Sequence, residues 1–97
     1  MPMTAPAEHS DLDARRKRLR FRCWHRGIKE MDLIMGGFVD ANIATMTDAE
    51  LDELEQLIDV PDHDLYAAVA GTQPLAVEGP LFKRMKAYGQ SGVVKFT

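Results

Sequence analysis

Three histidines, one cysteine and a spread of carboxylates are the side chains of this 97-residue chain best suited to chemistry, and their spacing excludes most of it. His9, His25 and His63 do not recur at the i, i+4 step that puts two imidazoles on one helix face, and no Cys-x-x-Cys accompanies them. No zinc site is expected. Cys23 falls on the apolar side of a helical pattern and reads as a small core residue. Its basic surroundings would also suit a thiolate nucleophile, so a thiol enzyme stands as a further alternative. The acids show no EF-hand spacing. There is no Gly-rich phosphate loop behind a strand and no Gly-x-Ser-x-Gly elbow. The expectation is a protein without catalytic, metal-binding or cofactor-binding residues.

Two stretches remain. "RRKRLRFR", residues 15–22, packs six bases around Leu19 and Phe21 and would suit phosphates. The plainer expectation is a solvated helix whose arginines pair with acids elsewhere in the chain. "HRGIKEMD", residues 25–32, sets Gly27 between Arg26 and Glu30, where helical patterns flank it on both sides. Locally this is a helix junction, with Gly27 in a left-handed cap and Glu30 in the favourable first turn of the next helix. Were the helix continuous, Arg26 and Glu30 would be an i, i+4 pair worth a few tenths of a kcal/mol, and Gly27 would cost about 1 kcal/mol relative to Ala.

The periodic segments that carry these residues read as helices. The first is predicted from Ser10 or Asp11 to Trp24, with Ser10 as N-cap and Leu12, Leu19 and Cys23 on one side. The second carries Ile28, Met31, Ile34, Met35 and Phe38 at helical spacing, with Gly36-Gly37 expected to weaken or bend it. Thr47-Asp48-Ala49-Glu50 has capping-box form and opens a third through Leu51, Leu54, Leu57 and Ile58. Asp62 is the expected cap of a fourth, ending at Gly71. Pro80 suits the first position of a fifth, ending near Gly89. No strand pair is evident. The predicted fold class is all-α, a compact bundle of about five short helices. Residues 1–9 and 91–97 are expected to be flexible tails flanking one domain at 10–90.

Composition fits a globular protein, with 45% hydrophobic and 28% charged residues. No apolar run approaches the roughly 20 residues needed to cross a bilayer, so no membrane insertion is expected. The first ten residues have no apolar core of a secretory signal, and Glu8, Asp11 and Asp13 argue against a transit peptide, so the cytoplasm is the expected location. Net charge is −3 but strongly segregated. Residues 31–80 hold eleven acids and no Lys or Arg, while the eight bases of residues 1–30 and the four of 81–97 flank them. Such a chain can hold its ends to its middle by charge, or show a partner one basic and one acidic face.

Arg26-Gly27-x-x-Glu30 behind a basic helix, followed by "EMDLIM" and later by "DHDLYAAV", resembles the succinate dehydrogenase flavinylation factors, over roughly residues 15–90. Gly36-Gly37 departs from the bulkier residues expected there. The resemblance implies a five-helix, non-enzymatic assembly factor. Such a factor binds the flavoprotein subunit of succinate dehydrogenase, or of fumarate reductase, and promotes covalent attachment of FAD. It implies that FAD is the client's cofactor. The sequence has no dinucleotide-binding fingerprint, so tight FAD binding is not expected here, and its overall acidity and lack of a helix-turn-helix signature count against nucleic acid as the partner. The resemblance places partner contact at Arg26, Gly27 and Glu30, with Trp24 and Asp32 flanking. The competing expectation is a small nucleic-acid-binding regulator using the basic first helix.

Overall fold

The structure, a computed structural model, describes residues 7–76 and 78–96. Five α-helices follow in order: α1 (Ala7–Trp24), α2 (Lys29–Asn42), α3 (Asp48–Ile58), α4 (Asp62–Ala70) and α5 (Pro80–Tyr88). A 3-10 turn, Ile43–Thr45, follows α2, and a π turn, Gly89–Val93, follows α5. No strand occurs among the described residues. The architecture is all-α, as the apolar periodicity predicts.

The central helix is α2, which packs against α1, α4 and α5. It buries Met31, Ile34, Met35, Phe38 and Val39. That set is broader than the stripe of a surface helix, because neighbours cover several sides. Gly36-Gly37 lies in unbroken helix, contrary to the expected bend. The reason is steric. A Cβ on Gly36 would lie 2.3 Å from Cδ2 of Trp24, and one on Gly37 would lie 2.3 Å from the Tyr88 hydroxyl. The pair forms a notch that admits α1 against one side of α2 and α5 against another.

Local signals set most element ends. Thr47 and Glu50 form the reciprocal capping box at α3. Gly71 closes α4 at φ 87°, and Pro80 opens α5. A long-range cap adds to these: the Glu53 carboxylate on α3 accepts from the backbone N–H groups of Leu81 (3.2 Å) and Phe82 (2.9 Å), the otherwise orphaned donors of α5.

Residues 1–6 lie outside the described residues, but α1 already includes Ala7, Glu8 and His9, and Ser10 stands inside the helix rather than capping it. Ala and Glu are good helix formers, so the extension costs little. Asp62 is the first residue of α4, with Pro61 at the cap position, since its carboxylate is engaged elsewhere. Within the expected tail at 91–97, Phe96 stacks obliquely on Tyr66 with ring centroids 5.2 Å apart, and Val94 packs on the core. Gln90, just before this segment, donates to the Val69 carbonyl at 2.8 Å.

Candidate partner-binding site at the α1–α2 junction

α1 stops at Trp24, α2 starts at Lys29, and the four residues between carry the Arg-Gly of the motif. Gly27 has φ +108°. A side chain there is strained whatever the space around it, and space is available: the nearest atom to an added Cβ is Asp62 Oδ2 at 3.9 Å. The glycine is therefore required by backbone conformation, and its exposed surface is bare peptide.

The Arg26 side chain is turned inward, only 6% exposed. Its guanidinium fork is used within the chain. Nε donates to Asp62 Oδ1 at 2.6 Å, Nη1 to the Ile58 carbonyl at 2.7 Å and Nη2 to the Val60 carbonyl at 2.5 Å. Val60 lies two residues beyond α3, and the Ile58 carbonyl is at its C-terminal end, where the helix dipole favours a cation. Asp62 belongs to the N-terminal turn of α4, where it favours an anion. One planar side chain thus joins the α1–α2 junction to the α3–α4 connection, a geometry that a lysine's single ammonium does not reproduce. The Arg26 backbone N–H donates to Asp32 Oδ1 at 2.7 Å, so Asp32 fixes the junction from the first turn of α2.

Glu30 is exposed and has no bonding partner among the described residues. Trp24 is half-buried, its indole against Gly36 and its Nε1 donating to Asp40 Oδ1 at 3.3 Å. The structure therefore brings all five residues of the expected site to one junction but sorts them. Gly27 and Glu30 face solvent, while Arg26, Asp32 and Trp24 bond and pack within the chain.

Sequence reasoning missed Asp62 as the partner of Arg26. The pair is separated by 36 residues, and the only hint was the segregation of charge. In the sequence Phe21 reads only as part of the basic run; its side chain is 61% exposed. Phe21 stacks on His25 with centroids 3.9 Å apart and planes 18° from parallel.

The basic run largely follows the plainer expectation. Arg15 pairs with Asp52 and Glu55, Arg20 with Asp40 and Arg22 with Asp59. Cys23 is fully buried, and burial pushes its thiol up to about 12, with Arg26 and Arg22 opposing the shift. It stays a protonated core thiol at neutral pH, which removes the basis for a thiol enzyme. Among the described residues no three His, Cys, Asp or Glu gather as a metal site requires, and no helix is long and apolar enough to cross a membrane.

A family model described as the flavinator of succinate dehydrogenase matches residues 17–89. The chain is 46% identical over 77 residues to the FAD assembly factor SdhE of Acetobacter pasteurianus, covering 77% of this chain and 71% of that protein. It is 39% identical over 59 residues to the mitochondrial succinate dehydrogenase assembly factor 2 of Scheffersomyces stipitis, and 34% identical over 59 residues to that of Dictyostelium discoideum. Those alignments span 40% and 42% of the mitochondrial proteins. The family match runs from the basic helix through the Arg26-Gly27 junction and Asp62 to the end of α5, and the chain belongs to the flavinator of succinate dehydrogenase family.

Proposed function

We propose that this protein is a non-enzymatic assembly factor that binds the flavoprotein subunit of succinate dehydrogenase and promotes covalent attachment of FAD to it. The observation that carries this reading is the α1–α2 junction. In a chain of this family, a buried Arg26–Asp62 pair holds exposed Gly27 backbone and the unpaired Glu30 carboxylate in one fixed surface. Gly27 and Glu30 touch the client. Glu30 meets a client base, and the missing side chain at Gly27 lets the client backbone approach. Arg26 and Asp32 are positioning residues that act through the junction, and Trp24 supports it from α1.

The factor works by differential binding: a client conformation competent for flavin linkage binds more tightly than the others and gains population. FAD belongs to the client. The flavoprotein subunit of fumarate reductase is a second client of the same chemistry, and the cytoplasm is the site of action. Co-expression with the succinate dehydrogenase flavoprotein subunit raises the fraction carrying covalent flavin, read by in-gel fluorescence. An unchanged fraction, with both proteins folded and FAD supplied, refutes the reading.

A further inference from the structure

The cations of α1 fall into two sets. Arg15, Arg20 and Arg22 pair with acids of this chain, and Arg16 donates to the Met46 carbonyl at 3.1 Å. Lys17 and Arg18 are exposed and have no such partner among the described residues. Phe21 lies four and three residues further along, on the same helix face as both. It is the one large apolar side chain exposed among the described residues. His25, one turn on, stacks beneath it and places Nδ1 2.7 Å from the Phe21 carbonyl, which makes Nδ1 the donor and pins the imidazole. The stripe runs directly into Gly27. Asp40 and Asp59, which border it, are engaged by Arg20 and Arg22, so its uncompensated charge is positive.

A rigid, exposed aromatic beside unpaired cations is the kind of group that anchors a protein interface at small entropic cost. Resting on the function proposed above, we propose that the Phe21–His25 stack, flanked by Lys17 and Arg18, is a second client-docking element. It seats an acidic segment of the flavoprotein subunit that carries an apolar or planar side chain. Charge selects the occupant, because the free cations complement a carboxylate-bearing strand or loop. A nucleic acid is disfavoured, because most of the arginines it would need are bound to this chain's own acids.

The test is titration of the FAD-free flavoprotein subunit into wild-type protein, Phe21→Ala, Phe21→Trp and Lys17→Glu/Arg18→Glu, at low and high salt, with thermal melts as a folding control. The expected result is about tenfold or greater weakening by Phe21→Ala and by the charge swap, a flatter salt dependence for the charge swap, and affinity restored by Phe21→Trp. Wild-type binding that both changes leave within about twofold overturns the docking element while leaving the assembly role standing. No wild-type binding overturns both. Salt-sensitive binding to a DNA duplex that the charge swap abolishes, with flavoprotein affinity untouched, reassigns the stripe to nucleic acid and overturns the proposal.

Discussion

At the scale of single residues, the two halves of Arg26-Gly27 do different work. Arg26 satisfies two carbonyls and one carboxylate in a site that water scarcely reaches. Removing it leaves a largely buried Asp62 without its cation and two carbonyls without a donor. Arg26→Ala should therefore cost about 3–5 kcal/mol, visible as a lower urea midpoint. Asp62→Ala combined with it should cost less than the sum of the two single changes, as a double-mutant cycle will report. Gly27 is different, because its neighbourhood is open and only its φ is unusual. Gly27→Ala and Gly27→Arg should thus lose the same stability, about 1–3 kcal/mol, in matched thermal melts. Covalent flavin in the co-expressed client should fall further for Arg than for Ala, because only the long side chain obstructs an approaching surface. Equal losses of flavin would make Gly27 a folding residue alone.

At the scale of elements, the interlocking of helices depends on where side chains are absent. Gly36 accepts the face of the Trp24 indole, a rigid ring with little freedom to retreat. Gly37 meets only the hydroxyl end of Tyr88 most closely. Alanine gains about 1 kcal/mol of helix propensity at either position. Overpacking costs about 1–3 kcal/mol where the neighbour cannot move. Gly36→Ala should therefore be net destabilising and Gly37→Ala near neutral, as chemical denaturation of the pair will show. Spacing alone places apolar residues on a helix face, but it carries no information on which neighbour presses on a glycine. That is why the pair looks like a weakness in the sequence and is a packing site in the fold.

At the scale of the whole molecule, the segregated charge is spent largely on holding the bundle together. The basic α1 is tied to α2 through Asp40, to α3 through Asp52 and Glu55, and to Asp59 beyond it. Each exposed pair contributes only about 0–1 kcal/mol and weakens with salt. Acid sensitivity is expected at two carboxylates, Asp40 beside α1 and Glu50 at the start of α3. The Arg20 hydrogen bond, more than any other contact, holds the Asp40 carboxyl below its usual value, and the Thr47 backbone N–H does the same for Glu50. A carboxylate with a lowered native pKa stabilises the fold fully above its unfolded value, roughly pH 4. That contribution is lost as pH falls through the native value. Thermal melts should therefore hold level down to about that pH and decline below it. Asp40→Asn and Glu50→Gln should each make the acid decline shallower.

Interactions between near neighbours along the chain are readable before folding is considered. The apolar spacing of α2, the Thr47–Glu50 box, the stop at Gly71 and the start at Pro80 each act within a turn or two of helix, so five helices and an all-α class were legible. The five residues of the candidate site were legible as a group for the same reason, because they lie within nine positions of one another. Which of them point outward follows from long-range contacts. The inward turn of Arg26 depends on Asp62 and on the carbonyls of Ile58 and Val60, more than thirty residues away. The exposed Phe21 stack, the Gly36-Gly37 notch and the seating of Phe96 on Tyr66 likewise depend on neighbours that only folding brings, or fails to bring, alongside. Contacts between distant parts of the chain leave no local pattern, because their cost is closing the loop and their reward is packing.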